Sequence, residues 1–190
     1  MQTQGSQLYE INAHGVVACA QQVTSPNQDD RPSDVDSPVI DMVVIHNISL
    51  PPKQYGGHGI IELFTNQLNP NEHPYYADIY TAEVSSHFLI RRDGALIQFV
   101  PCTKRAWHAG VSKWKSRERC NDFAVGIELE GCDFEAFEAV QYKVLNALLQ
   151  SLKNTYPIQH VVGHSDIAPG RKTDPGPFFD WDRVIEKPSH

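Results

Sequence analysis

The sequence predicts a single α/β domain in which helices cover a β-sheet, and three short apolar runs are the main evidence. Residues 42–46, 123–130 and 161–164 are rich in Val and Ile, as is typical of buried strands. Between the last two runs, apolar residues recur at helical spacing. Strands followed by a long helix and a returning strand are the order expected of an α/β sheet.

The remaining elements follow from local signals. Residues 87–90 and 96–100 flank Asp93-Gly94, which predicts a β-hairpin. The main helix is predicted from 137 to 152, with Asp133 as a possible cap and Glu135 in its first turn. We expect an exposed connector, a short helix, a long surface loop and a closing helical turn over residues 25–38, 60–64, 69–83 and 181–186.

Composition narrows the class of protein. The 190 residues suit one domain, and 41% hydrophobic and 21% charged residues are ordinary for a globular chain. The net charge of -7 disfavours nucleic acid and anionic membrane surfaces as partners. We see no export signal and no apolar stretch of about 20 residues, so we expect a cytoplasmic protein without a membrane span.

The four cysteines do not form a metal cluster. Cys19, Cys102, Cys120 and Cys132 contain no C-x-x-C pair, which argues against a cysteine zinc site. An even count is compatible with two disulfides. In a chain of this size without an export signal, we expect free thiols.

Two histidines and one aspartate are candidates for a metal site. His46 and His164 each end a predicted strand, and Asp174 lies on a loop that Pro175 stiffens. Strand ends at one sheet edge converge in space, so these side chains predict a three-ligand site with an open position for catalysis. Asp166 is an alternative ligand, because His164-Ser165-Asp166 resembles the H-x-D of iron oxygenases. Those enzymes, however, place their remaining histidine well downstream, where this chain has only its terminal residue, His190.

Two further residue types suit hydrolysis near such a metal. Alternation along residues 123–130 places Glu128 and Glu130 on one strand face with small neighbours, and periodicity does not choose between them as general base. Lys172, two residues before Asp174, is a candidate to stabilise an oxyanion. Trp107 and His108 lie in a small and aromatic segment that predicts a cleft wall, so both are candidate substrate-binding residues; packing is the competing role for Trp107.

Several segments together resemble a known family. The chain is similar to the type-2 amidases, zinc-dependent N-acetylmuramoyl-L-alanine amidases related to T7 lysozyme and the peptidoglycan recognition proteins. The resemblance spans roughly residues 26–182, and it is carried by residues 44–52, 86–94, 105–110, 117–123, 126–131, 163–164 and 171–177. We therefore divide the chain into an N-terminal extension, 1–25, and an amidase domain, 26–190.

The resemblance implies a central mixed β-sheet flanked by α-helices, with one zinc ion in a surface groove and residues 69–83 beside it. It implies His46, His164 and Asp174 as zinc ligands, where T7 lysozyme-like members have cysteine in place of the aspartate. It also implies Glu128 as general base and Lys172 as oxyanion stabiliser.

The implied substrate is an anhydro-muropeptide. The amide between 1,6-anhydro-N-acetylmuramic acid and L-alanine would be hydrolysed during cytoplasmic peptidoglycan recycling, which also limits AmpC β-lactamase induction. Arg119 is a candidate partner for the stem-peptide carboxylates. The resemblance implies a basic residue where this chain has Glu83; if that position contacts the stem-peptide carboxylates, peptide affinity or preference is expected to differ. We expect a monomer. The competing classes are a non-catalytic peptidoglycan-binding module and a general metalloprotease; the latter is weakened by the lack of H-E-x-x-H.

Overall fold

A six-stranded mixed sheet lies at the centre of the computed structural model, which describes residues 9–32 and 39–185. All neighbouring strands in it are parallel except the hairpin pair β4 and β5. Across the sheet the strands are β1 (Gln21–Gln22), β5 (Leu96–Gln98), β4 (Phe88–Ile90), β9 (Ala124–Glu130), β3 (Met42–Ile48) and β10 (His160–Gly163). The predicted central mixed sheet and the hairpin are confirmed.

Smaller elements surround this sheet. Two short antiparallel ribbons pair β2 (Gln28–Asp30) with β6 (Lys104–Ala106) and β7 (Lys113–Trp114) with β8 (Arg117–Glu118). The helices are α1 (Gly59–Phe64), α2 (Pro74–Ile79), α3 (Ala139–Thr155) and α4 (His164–Ile167), with 3-10 turns at Cys120–Asp122 and Trp181–Arg183. The helices predicted over 60–64 and 137–152 are therefore present as α1 and α3. The turn predicted over 181–186 is present in its described part, up to residue 185.

The long helix α3 covers one face of the sheet. Its apolar stripe, including Leu145, Leu148 and Leu152, packs on alternate residues of the central strands such as Ile45 and Ile127. The predicted cap was wrong. Glu138 caps the helix through a reciprocal capping box with Gln141, whereas Asp133 lies five residues earlier and bonds elsewhere.

The opposite face of the sheet carries the polar side chains that matter for function. Register pairs His46 of β3 with Glu128 of β9, so both side chains project from this face. The helices α1 and α2 cover its far end, where Leu63, Phe64 and Tyr76 pack with Leu89. The part of this sheet face that carries His46 and Glu128 is open to a groove.

Two predicted loops are more ordered than expected. The connector expected over 25–38 contains β2, and its Ser25, Asn27 and Arg31 are buried; residues 33–38 lie outside the described residues. The Arg31 guanidinium donates to the carbonyl oxygens of four residues brought from distant parts of the chain, Cys102, Asn121, Asp122 and Ala124. The loop expected over 69–83 contains α2, which Pro74 begins and His73 caps.

The described part of the predicted extension, residues 9–25, packs into the same core. Val17 and Ala20 are buried there, and β1 forms the edge of the main sheet. All four cysteines are free thiols, as expected. Within residues 9–32 and 39–185, no helix has the length and apolar character needed to cross a bilayer.

Candidate active site

Two imidazoles and a carboxylate converge at the base of the groove. His46 Nδ1, His164 Nδ1 and Asp174 Oδ2 lie 3.0 Å from one another in each of the three pairs. The sequence predicted both histidines at strand ends. His46 instead lies within β3, which continues to Ile48, and His164 is the first residue of α4. The parallel pairing of β3 with β10 brings the two histidines together although 118 residues separate them.

The protonation states of these groups leave lone pairs directed at a common centre. Burial lowers the pKa of His46 to about 4, so its ring is neutral at pH 7. Burial acts to raise the pKa of Asp174, but its close contacts with His164 and His46 outweigh burial and hold that pKa well below its ordinary value. His164 Nε2 donates to the carbonyl oxygen of Ala109 at 3.0 Å, which leaves its Nδ1 as the unprotonated nitrogen.

This donor set fits a divalent metal ion. Three mutually close acceptor atoms with no donor of their own repel one another unless a cation lies between them. Two neutral imidazoles and one carboxylate are ligands that zinc accepts in catalytic sites, with a further position left for water or substrate. The cluster His46, His164 and Asp174 is the group of side chains in the described chain that is able to hold a metal ion.

The loop that carries Asp174 is fastened on both sides. The amide N–H of Ser165 donates to the carbonyl oxygen of Asp174 at 2.9 Å. On the other side, the Asn47 side chain donates to the carbonyl oxygen of Pro175 at 3.0 Å and to Asp133 Oδ1 at 2.7 Å. Thr173 donates to the second oxygen of Asp133. Sequence reasoning missed this role of Asn47 and Asp133, although Asn47 follows a predicted ligand directly.

The alternative ligand Asp166 points away from the cluster. Its Oδ2 accepts from the backbone N–H of Gly163 at 2.7 Å, which fastens the first turn of α4. A side chain at Gly163 would meet Pro175, since an ideal Cβ lies 2.8 Å from Pro175 Cδ. The glycine therefore lets the Asp174-Pro175 segment lie against the end of β10.

Glu128 and Glu130, which periodicity left equivalent, have different surroundings. Glu130 accepts from Arg91 Nη1 at 3.0 Å and from the backbone N–H groups of Gly56 and Arg92. Glu128 lines the groove, and its buried Oε2 has no hydrogen-bond partner among the described residues. Burial raises the pKa of Glu128 well above its ordinary value, the Asp174 charge adds to this, and Lys172 opposes it.

The groove has a volume of about 410 Å³ and is polar at its base and apolar along its walls. Lys172 and Trp107 both line it. The backbone of Trp107 exchanges two hydrogen bonds with Ser85: its N–H donates to Ser85 Oγ at 3.0 Å, and its carbonyl oxygen accepts from the Ser85 N–H at 3.1 Å. Other groove residues include Asn47, Ile48, Ser49, Leu50, Pro52, Leu63, Phe64, Tyr75, Ile79, Ala82, Val84 and Ser85. The resemblance placed residues 69–83 beside the groove, and Tyr75, Ile79 and Ala82 of this segment do line it. The helix α2 within the segment was not predicted, because the sequence indicated a loop there.

The structure does not bring every candidate to this groove. Arg119 is 69% exposed, pairs with Asp122 at 3.2 Å, and lines a separate depression with Lys113 and Arg171. His108 does line the groove, but one of its ring nitrogens faces His46 rather than solvent. Glu83 is exposed between Ala82 and Val84, both of which line the groove.

Fold and site together define a class: an α/β protein whose open groove holds a cluster able to bind a metal ion beside a buried carboxylate. The N-acetylmuramoyl-L-alanine amidase family model matches residues 36–177. The chain belongs to this amidase family, and the resemblance read from its motifs is confirmed.

Individual relatives agree with this assignment. The chain is 52% identical over 171 residues to the 1,6-anhydro-N-acetylmuramyl-L-alanine amidase AmpD of Escherichia coli K12, covering 89% of this chain and 92% of that protein. A crystal structure of an AmpD derivative is 53% identical, with a TM-score of 0.86 and coverage of 90% and 94%. The complex of Escherichia coli AmiD with anhydro-N-acetylmuramic acid-L-Ala-D-gamma-Glu-L-Lys is 31% identical, with a TM-score of 0.57 and coverage of 80% and 59%.

Proposed function

We propose that this chain hydrolyses the amide bond between 1,6-anhydro-N-acetylmuramic acid and the L-alanine of a stem peptide. The activity of the Escherichia coli amidase AmpD, which is 52% identical over nearly its whole length, supports this substrate. The complex of the more distant AmiD contains the same anhydro-sugar and L-Ala linkage. The observation that carries the proposal is the 3.0 Å convergence of two imidazoles and a carboxylate beside Glu128, whose Oε2 is unpaired among the described residues.

One zinc ion is the proposed cofactor, held by His46, His164 and Asp174. When bound, zinc supplies Lewis acidity to the scissile carbonyl and lowers the pKa of a water molecule toward about 7. The protein presents two neutral imidazole nitrogens and one ionised carboxylate oxygen. The pairing of β3 with β10 and the hydrogen bond from Asn47 to the loop that carries Asp174 hold these atoms in position. Such preorganised ligands lose little conformational entropy when the ion binds.

Glu128 is the proposed general base and then general acid. Its Oε2 accepts a proton as the water oxygen forms a bond to the lactyl carbonyl carbon. The C–N bond then breaks, and the same oxygen delivers the proton to the departing amine of L-alanine. The products are a free carboxylate on the sugar and a free stem peptide. An unpaired, buried carboxyl suits this role, because no other donor competes for the oxygen that moves the proton.

Lys172 is the proposed stabiliser of the negative charge on the carbonyl oxygen. Its ammonium is close enough to lower the pKa values of both Glu128 and His46, which indicates a position beside the reacting groups. Trp107 supplies an apolar wall on which a sugar or alanyl group packs. We keep Arg119 only as a contact for parts of a stem peptide that extend beyond the groove.

The cellular role that we propose is cytoplasmic peptidoglycan recycling, which limits AmpC induction in bacteria with an inducible β-lactamase. Four free thiols are consistent with a reducing compartment. The cluster and the groove are formed by one chain, which supports a monomer as the working unit. Residues 26–190 are proposed to carry the chemistry, with β1 of the preceding segment supporting the sheet edge.

The test is incubation of the full chain with purified anhydro-muropeptide, followed by mass spectrometry. We expect a free stem peptide and an anhydro-sugar acid, with release abolished by a chelator and restored by one equivalent of zinc. Binding of the muropeptide without cleavage at any zinc level would overturn the proposal in favour of a binding module. Cleavage of unglycosylated peptides at comparable rates would indicate a general peptidase instead.

A further inference from the structure

The outer ring nitrogens of both cluster histidines contact the same dipeptide. His46 Nε2 lies 2.9 Å from Nδ1 of His108, and His164 Nε2 lies 3.0 Å from the carbonyl oxygen of Ala109. One short segment therefore contacts both imidazoles on the side opposite the cluster. Outer contacts of this kind set the tautomer and ring orientation of a metal-binding histidine.

The tautomers follow from the cluster geometry. His46 directs Nδ1 at His164 and Asp174, so a lone pair on that atom requires the ring proton to be on Nε2. Nε2–H then donates to Nδ1 of His108, which must be unprotonated to accept it. The ring proton of His108 is therefore on its own Nε2.

This arrangement leaves a donor without a partner. Nε2 of His108 is buried, and no hydrogen-bond partner for it exists among the described residues. A buried N–H without an acceptor is unfavourable, and an apolar side chain of similar size would avoid it. The hydrogen bond to His46 is therefore the interaction that accounts for an imidazole at this position.

The surrounding chain holds this ring in place. The Asn121 side-chain oxygen accepts from the backbone N–H groups of His108, at 3.2 Å, and of Ala109, at 2.8 Å. The ring lies against Gly126 of the central strand, where an ideal Cβ would be only 2.5 Å from His108 Cγ. Any side chain at residue 126 would displace the ring, so the absence of one leaves the space that His108 occupies.

We propose that His108 is a positioning residue for the metal ion: it accepts the Nε2–H of His46 and so directs Nδ1 of His46 at the ion. Asn121 supports it by fixing the dipeptide that contacts both histidines. This inference rests on the proposed metal site, and it differs from the role in substrate binding that the sequence suggested for His108.

The experiment measures zinc affinity of the full, metal-free chain by competition with a chelator of known affinity. His108→Leu keeps the bulk but removes the acceptor, and we expect zinc to bind about 10- to 100-fold more weakly. His108→Asn places an amide oxygen near the position of Nδ1 and is expected to bind zinc within about threefold of wild type. His160→Leu is the control, because His160 packs edge-on against Trp114 and its loss should leave zinc affinity unchanged.

Further readouts separate this role from the alternatives. At saturating zinc, KM for anhydro-muropeptide should stay at the wild-type value in His108→Leu. Asn121→Ala leaves the ring intact but frees the dipeptide, and it should weaken zinc binding as well, so the test does not depend on one variant folding. Circular dichroism of the metal-free variants checks that each of them is folded.

Three results would overturn the inference. Unchanged zinc affinity in folded His108→Leu refutes positioning, and a raised KM together with unchanged affinity identifies a substrate contact. Equal loss of affinity in the Leu and Asn variants points to packing rather than the hydrogen bond. If wild-type protein itself binds no zinc, the proposed metal site fails with it, which is a distinguishable outcome.

Discussion

Glu128 lies opposite His46 in the parallel register of β9 and β3, so the two side chains are neighbours on one face of the sheet. A single strand pairing therefore sets the position of the proposed base relative to a proposed metal ligand. Because both strands are central and both residues are buried, this relationship is held by the core rather than by a loop. Variants at either position should alter chemistry without releasing the other group.

Glu128→Gln should separate metal binding from turnover. The amide keeps the shape of the side chain but cannot take a proton, so we expect kcat to fall about 10²- to 10⁴-fold with zinc content unchanged. The variant should be no less stable than wild type, because a buried unpaired carboxyl is replaced by a neutral group. Metal analysis, steady-state kinetics and urea unfolding measure the three quantities.

Glu130→Gln is the matched control on the same strand face. It breaks a buried pair with Arg91 and weakens the bond to the Gly56 N–H, so the free energy of unfolding should fall by about 3 kcal/mol. The folded fraction should retain turnover. Loss of kcat in Glu130→Gln with full activity in Glu128→Gln would show that Glu130 is the general base and that Glu128 is not.

Asp174→Ala should remove zinc and activity together. The carboxylate oxygen lies 3.0 Å from both imidazole nitrogens, so its loss removes one of three ligands. Asp166→Ala is the comparison, because Asp166 only accepts from the Gly163 N–H; it should cost about 1 kcal/mol of stability and keep the metal. An active and fully metallated Asp174→Ala protein would refute the site.

Lys172→Met should lower kcat while leaving zinc in place. It removes the cation but keeps the apolar stem, and loss of one oxyanion donor typically costs about 10²- to 10³-fold. Lys113→Met removes an exposed lysine outside the groove and should have no effect on turnover. Wild-type kcat in Lys172→Met would exclude the ammonium from the reaction.

Asp133→Ala should loosen the loop that carries Asp174. It removes the acceptor for Asn47 and Thr173, so we expect weaker zinc binding and a loss of about 2 kcal/mol of stability. Asp93→Ala removes a turn carboxylate in the β4–β5 hairpin, far along the chain from the ligands. The Asp93→Ala control should lose some stability but no zinc affinity. Equal zinc affinities in Asp133→Ala and Asp93→Ala would contradict the role of Asp133 in holding the loop that carries Asp174.

Metal-free protein should lose stability in mild acid partly through His87. Burial, and then the Arg31 charge, lower the pKa of His87 to about 3, while the unfolded value is about 6.5. The unfolded chain therefore binds a proton that the folded chain does not bind. The free energy of unfolding falls as the pH drops from about 6.5 to about 3. His87 accounts for about 2 kcal/mol of this loss between pH 7 and pH 5.

His87→Gln should flatten that acid dependence by about the same amount, although its stability at pH 7 will be lower because the bond from the Gly126 N–H is lost. Urea unfolding at a series of pH values measures the slope for both proteins. Parallel curves for wild type and variant would show that His87 does not carry the acid sensitivity.

Much of the sheet was predictable because its strands are continuous apolar runs. The strands β3 and β9 were predicted from these runs, and Asp93-Gly94 predicted the hairpin. The burial of Arg31 was not predictable, since its acceptors are carbonyl oxygens 71 to 93 residues away and no periodic pattern marks it. The helix α2 has only six residues, too few for periodicity to show.

Some residues of the candidate site were predictable from the sequence, and others were not. His46, His164 and Asp174 were predicted because ligand chemistry limits the residue types and strand ends limit their location. The hydrogen bond from Asn47 to Asp133 joins side chains 86 residues apart, and the helical pattern after Asp133 wrongly indicated that this residue was a helix cap. The choice between Glu128 and Glu130 depended on which carboxylate the neighbouring chain already satisfies.

Anomalous diffraction at the zinc edge from crystals of the zinc-loaded chain tests the central claim most directly. We expect one strong peak per chain, about 2.0–2.2 Å from His46 Nδ1, His164 Nδ1 and Asp174 Oδ2. A peak bound through other side chains, or no peak at this cluster in protein that is active and zinc-dependent, would contradict the account.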